Sequence, residues 1–176
     1  SPVATRVVNA ISKVRTVSFD EDRLYMNFTT QQLESGPLAE RITALIDTFD
    51  LGFERLVVES TQPGREVLPS EEEWPRRRRL RLKTVHALFD EAGNAVGHEE
   101  FDLANHESAG TQKIVALAGP LASVLAKGDT LVADELDTRL HPTLTRALVE
   151  IFSSPDTNPN NAQLVAVTHD TNLLEG

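Results

Sequence analysis

The sequence predicts an α/β fold built on a parallel sheet, and two observations in its second half carry that prediction. Thr130-Leu131-Val132-Ala133 and residues 163–167 are short, continuously apolar runs, and a helix-periodic stretch over 142–152 separates them. A long Ala- and Leu-rich helical stretch over 113–127 precedes the first run. Helix, strand, helix, strand, with strands apolar on both sides, is the pattern of parallel strands covered by helices on both faces.

From the N-terminus, Val3, Val7, Val8, Ile11 and Val14 recur at helical spacing, which predicts an amphipathic helix over 2–15. Residues 23–28 read as a short strand. Over 31–49 the pattern is helical again, with Leu38, Ile42, Leu45, Ile46 and Phe49 on one face. Gly36-Pro37 interrupts that stretch, and Pro37 suits a helix start. Residues 53–59 read as a strand and 60–75, with two prolines and an acidic run, as a loop. Over 76–89, Leu80 and Leu82 alternate with Arg79, Arg81 and Lys83; residues 90–94 are a turn, and 95–103 run back, which makes a β-hairpin. Residues 153–161 form a loop.

Composition narrows the function classes. The 176 residues carry a formal net charge of −10, which opposes broad electrostatic attraction to nucleic acid or anionic lipid. There is no cysteine, hence no disulfide framework and no thiolate metal site. No apolar run approaches the ~20 residues of a membrane span, and Ser1-Pro2-Val3 begins no signal peptide. A cytoplasmic protein is the expectation.

Three segments carry chemistry. Leu131-Val132-Ala133 delivers Asp134 and Glu135 at the C-terminal end of a strand, the edge where α/β sheets bind ligands. The first acid suits Mg²⁺, which takes a few carboxylates together with water and phosphate oxygens. The second suits a base that orients and deprotonates an attacking water. The bland reading is a strand that ends in solvated acids. Leu136-Asp137 and Arg139-Leu140-His141-Pro142 come next, and some thirty residues later the second apolar strand ends in Thr168-His169-Asp170. A lone histidine after a strand is more often structural; beside Asp134 and Glu135 on a neighbouring strand, His169 reads as a phosphate and water contact. Upstream, Glu107-Ser108-Ala109-Gly110-Thr111-Gln112 precedes a helix. Its small residues let backbone approach phosphate at a helix N-terminus, against the plainer reading of an N-cap at Ser108 or Thr111.

In that order, Glu-Ser-x-Gly-Thr-Gln, Asp-Glu-Leu-Asp-x-x-Leu-His-Pro and Thr-His-Asp, the chain resembles ABC-type ATPases of the SMC and OLD-like kind, nearest to the bacterial AAA-family ATP-binding proteins linked to phage defence. The likeness covers residues 84–174. It implies a parallel-sheet P-loop NTPase fold, with this chain as the C-terminal lobe carrying a helical and β-hairpin insertion. Residues 1–75 would be the insertion region and 76–176 the ABC-type lobe. It further implies ATP and Mg²⁺, with Asp134 as the Walker B acid on the metal, Glu135 as general base and His169 as the switch histidine. Gly110, Thr111 and Gln112, with Ser108, would form the signature loop that touches a nucleotide held by the opposite subunit. Asp137 would lie in the D-loop of a nucleotide-sandwich homodimer. Two departures stand out: Ala109 occupies a place the family often gives to serine, and no Gly-x-x-x-x-Gly-Lys-[Ser/Thr] occurs anywhere. The chain is therefore expected to be the C-terminal part of a composite ATPase, inactive alone. The alternative is a degenerate, non-hydrolysing module that docks a nuclease or another effector.

Arg76-Arg77-Arg78-Arg79, with Arg81 and Lys83, is the one basic patch. A nucleic-acid contact there is the weaker reading, because no aromatic residues interleave; a solvated strand face balanced by Glu71-Glu72-Glu73 is the stronger. His98-Glu99 and His106-Glu107 lack the second histidine of a zinc protease. Trp74 sits in a proline-flanked loop with no assigned role.

Overall fold

The computed structural model describes residues 5, 11–18, 22–61, 79–134, 136 and 140–169. Glu135, Asp137, Arg139, Asp170, Trp74, Glu71–Glu73 and Arg76–Arg78 lie outside the described residues, as does the side chain of Arg79. In chain order the elements are β1 (Val14–Ser18), α1 (Asp22–Ser35), α2 (Ala39–Asp47), β2 (Arg55–Thr61), β3 (Arg79–Phe89), β4 (Ala95–Asp102), α3 (Leu103–His106), α4 (Ala109–Lys127), β5 (Thr130–Asp134), α5 (Pro142–Ser153) and β6 (Gln163–Ala166). They fall into two compact units, Ser1–Leu51 with Ser108–Gly176, and Gly52–Glu107.

The first unit holds a parallel sheet of order β1-β5-β6. β5 is its centre: Val14 to Ser18 pair with Thr130 to Asp134 on one side, and Thr130 to Ala133 pair with Gln163 to Ala166 on the other. Leu131 and Ala133, on one face of β5, are buried, while Thr130 and Val132 on the other are half-buried, short of the two covered faces that continuous apolarity predicts. β6 departs from the expectation of two covered faces. Val165 and Val167 are both more than half exposed, because β6 forms an edge of the sheet among the described residues. Two further readings fail. The end of the helix read over 2–15 is β1: Val14-Arg15-Thr16-Val17 is rich in β-branched residues, which suit a pleated strand. The strand read over 23–28 is part of α1. Leu24 is exposed, Phe28 is partly exposed with its ring beside Gly119 of α4, and the residues buried on α1 are Thr29 and Thr30.

α1 and α2 pack on α4 and on each other. Ile42, Leu45, Ile46 and Phe49 are buried on the face predicted for α2. α4 is buried nearly all round, with twelve buried residues from Thr111 to Leu125, which marks a core helix. It is also, among the described residues, the one helix long and apolar enough to cross a membrane, but 67% of that stretch is buried inside the fold. Pro120 interrupts its hydrogen-bond ladder by removing the N–H that the Ala116 carbonyl would accept. Thr29 repairs the gap: its Oγ1 donates to the Ala116 carbonyl at 2.8 Å and accepts the Gly119 N–H at 3.0 Å.

The second unit is an antiparallel sheet of order β2-β3-β4, with α3 packed on β3 and β4. The hairpin read over 76–103 is there from Arg79 onward. Its turn is organised by Asp90, whose carboxylate accepts from the Ala92 N–H at 2.9 Å and from the Asn94 N–H at 2.8 Å. Gly93 takes the left-handed conformation, φ +83°, that the turn requires. These bonds, led by the one to the Asn94 backbone, hold the Asp90 carboxyl below its ordinary value of 3.8. A depressed carboxyl stabilises the turn above that value and stops doing so as pH falls through the lowered folded pKa. Acidification below 3.8 is therefore expected to loosen this turn, read as loss of protection at the Asn94 amide by NMR, and Asp90→Asn should give the loose turn at neutral pH.

Candidate functional site at the sheet edge

Because β5 and β6 are parallel, hydrogen-bonded neighbours, the segments that leave their C-terminal ends emerge at the same edge of the sheet. Asp134 is the last residue of β5 and is exposed. Beyond the strand pairing, the Val167 N–H donates to the Ala133 carbonyl and the Leu136 N–H to the Val167 carbonyl, both at 3.0 Å. These bonds fix the segment after β6 against the one after β5, so Thr168 and His169 leave the sheet beside Asp134. Leu136, only 1% exposed, anchors the chain just past position 135. β1 adds a third neighbour that the sequence reading missed: Ser18 pairs with Asp134. Its signal was the β-branched run over 14–17.

The opposite end of the strands is structural. Arg15 Nε lies 3.4 Å from the buried carboxylate of Asp129, and the Gln163 N–H donates to the Asp129 carbonyl. The loop that brings α5 round to β6 is built on Asn158, whose amide donates to the carbonyls of Phe152 and Ala162, each at 2.8 Å, and whose Oδ1 accepts the Ala162 N–H at 2.7 Å. That loop adds to the pairing with β5 in setting the β6 register.

His141 caps α5. Its Nδ1 accepts from the Thr143 N–H at 3.3 Å and lies 3.1 Å from the Thr143 hydroxyl.

The segment 108–112 is not a loop ahead of a helix but its first turn. Ser108 is the N-cap of α4, and its Oγ accepts the Thr111 N–H at 3.1 Å. Gly110, Thr111 and Gln112 already have helical backbone. The first-turn N–H groups of Ala109 and Gly110 have no carbonyl within the helix to bond, which leaves Gly110 half-exposed at a positive dipole end. The nineteen residues of α4 span about 28 Å, so this turn lies far along the chain path from β5, which α4 leads into.

Immediately before Ser108, Glu107 is held inside the second unit. Thr84 Oγ1 donates to its Oε1 at 2.7 Å, and His86 Nε2 lies 2.8 Å from the same oxygen. The His86 ring meets Phe101 edge-on, 5.3 Å between centroids. The described part of the basic strand is balanced by acids across the sheet. Lys83 bonds Glu59 at 2.8 Å and Glu100 at 3.5 Å. The bond to Glu59, chiefly, raises its pKa.

Among the described residues no three His, Cys, Asp or Glu side chains gather as a ready metal cage. Mg²⁺ does not need one, since it binds through one or two carboxylates and completes its shell with water and phosphate oxygens. An exposed Asp134 at the ligand-binding edge fits that donor set.

A family model described as "AAA domain, putative AbiEii toxin, Type IV TA system" matches residues 20–175. No curated protein matches the chain.

Proposed function

The chain belongs to the family of AAA domains so described, which makes it a nucleotide-binding, ATPase-like domain, and from that premise we propose that it forms the Walker B half of a composite site that hydrolyses ATP. The observation that carries this reading is the parallel pairing of β5 with β6, which brings Asp134 and His169 to one sheet edge. On this reading Asp134 holds Mg²⁺, which when bound neutralises charge on the phosphate oxygens. Glu135 accepts the proton of the attacking water, and the His169 imidazole hydrogen-bonds a γ-phosphate oxygen. Positioning and electrostatics do most of the work, as in phosphoryl transfer generally. The turn at 108–112, with Asp137 on the D-loop, acts on a nucleotide held by a second subunit in a nucleotide-sandwich homodimer of the ABC type.

No phosphate-cradling Gly-x-x-x-x-Gly-Lys-[Ser/Thr] occurs in these 176 residues. We place that loop on a further strand, parallel to β6 and paired with its open edge. Two features support the place. Val165 and Val167 are exposed there, although parallel strands are ordinarily covered. A groove of about 510 Å³ also runs between α5 and β6, lined by Val149, Phe152, Leu164 and Val165. The family's description names a "putative AbiEii toxin, Type IV TA system", and a bacterial defence setting for this chain is part of the same proposal.

The test compares this chain alone with a protein that also carries the phosphate-binding segment. The chain alone is expected to bind Mg-ATP weakly and to turn none over; the longer protein should hydrolyse it. Tight Mg-ATP binding by the chain alone would sink the composite reading. A longer protein that binds an effector nuclease without any turnover would favour the non-hydrolysing module, to which Ala109 in the signature turn also points.

A further inference from the structure

α2 and the second half of α4 present stripes of residues three and four apart, and the segment after α5 closes a third side. Two alanines in this lining, Ala44 and Ala122, take up little room, and the space left is a pocket of about 210 Å³. Its floor is apolar: Leu45, Ala122 and Leu125 are all buried. Its rim carries opposite charges. Arg41 of α2 and Asp156 of the segment after α5 are both exposed, and among the described residues neither side chain makes a hydrogen bond or an ion pair. The hydroxyls in the lining are already committed as donors. Thr48 Oγ1 donates to the Leu45 carbonyl at 2.7 Å and Thr157 Oγ1 to the Ile151 carbonyl at 2.6 Å. Arg41 is therefore the free side-chain donor of this pocket and Asp156 its free anion. Asp156 and Thr157 belong to the segment that runs into the start of β6, so the pocket lies toward the end of the sheet away from Asp134.

We propose that this pocket docks a partner protein through one large apolar side chain, flanked on the partner by a basic residue for Asp156 and an acidic residue for Arg41. Size decides against a small molecule. Small-molecule pockets run from about 300 to 1,000 Å³, whereas an interface anchor is a single side chain seated in a pocket. The charges decide what surrounds the anchor. An exposed arginine and an exposed aspartate that do not pair with each other offer two separate contacts of opposite sign. A wholly apolar segment would leave both unanswered. Such rim contacts add little affinity but fix orientation. In an extended segment alternate side chains face the same way, so a basic, an apolar and an acidic residue at every second position present the required set. The docking does not depend on the ATPase reading, because none of these residues belongs to the site around Asp134.

The probes are two blocked peptides, acetyl-Lys-Ser-Phe-Ser-Glu-amide and the reversed acetyl-Glu-Ser-Phe-Ser-Lys-amide. Each is titrated into the 176-residue chain and followed by its amide shifts in NMR. One order is expected to give saturable shifts centred on Ala44, Thr48, Leu125 and Thr157, with a Kd of about 1 mM, as a single anchor supplies. The other order should bind about fivefold more weakly, the effect that rim charges give. Arg41→Glu combined with Asp156→Lys should exchange the preference; both positions are exposed, so the fold should tolerate the change. Ala44→Leu fills the hollow from an exposed position and should abolish binding of both peptides. If Ala44→Leu does not fold, the charge exchange decides alone. No saturation at about ten times that Kd, or shifts centred elsewhere, overturns the proposal. Equal affinity for the two orders also overturns it, since only an apolar hollow then remains. Free phenylalanine binding as tightly as the better peptide would make this a small-molecule site instead. Self-association of the chain that Ala44→Leu abolishes would make a second copy the occupant, and the proposal would fall.

Discussion

Gly119→Ala is expected to destabilise the protein by about 1–3 kcal/mol, although the same change inside an ordinary helix stabilises by about 1 kcal/mol. The reversal of sign comes from Thr29. A Cβ on residue 119 would sit 2.5 Å from Thr29 Oγ1, 2.9 Å from Phe28 Cδ1 and 3.0 Å from Thr29 Cα. The last of these is backbone and cannot rotate away. Alanine would therefore push α1 off α4 and break the two bonds through which Thr29 closes the gap left by Pro120. Thr29→Val tests the same junction from the other side. It keeps the shape but leaves the Ala116 carbonyl and the Gly119 N–H without that partner in a buried site, at about 1–3 kcal/mol for each group. For a chain of this size the loss should read as a fall in Tm of several degrees. Urea denaturation gives the free energies. If Gly119→Ala raised the midpoint instead, the close packing of α1 on α4 would be wrong.

That junction also explains which parts of the fold could be read in advance. β5, α5, the hairpin and α2 were legible because each is specified by its own apolar pattern, and burial tracks that pattern at Ile42, Leu45, Ile46, Leu131 and Leu148. α1 was not legible. Its buried face is carried by Thr29 and Thr30, which are chosen to hydrogen-bond main-chain carbonyls, while Leu24 stays exposed and Phe28 partly so. A pattern of apolar spacing has no means of seeing a threonine whose value lies in a proline far along the chain. β1 was hidden because Val14 continued a helical spacing begun at Val3, and only pairing with β5 reveals it as a strand. The same division holds at the candidate site. Asp134 and His169 each come after an apolar strand, and strand pairing alone joins them. Lys113 was illegible as a core residue because a lysine is assigned to solvent by default, and only the packing of α4 shows it to be buried.

The largest effect on activity is expected at Glu135. In the assembled ATPase, Glu135→Gln should lower turnover by about a hundredfold to ten-thousandfold while nucleotide binding persists. The amide keeps the size and one acceptor of the carboxylate but takes no proton from water. The ATP-bound dimer should therefore accumulate, visible as a larger species by sedimentation that disperses when ATP is removed. Asp134→Asn should fail differently. That side chain is read as the metal carboxylate, so its loss should weaken Mg-ATP binding itself, and excess Mg²⁺ should restore part of the activity. His169→Ala should leave binding nearly intact and slow turnover less than Glu135→Gln, because a hydrogen bond to phosphate is lost but the base remains. The three outcomes separate the three roles proposed for these residues. Full turnover in Glu135→Gln would remove the base from that residue, and with it the reason for a carboxylate directly after Asp134. A Glu135→Gln protein that binds no ATP would instead move Glu135 from proton transfer to metal or nucleotide binding, leaving the proton of the attacking water to His169.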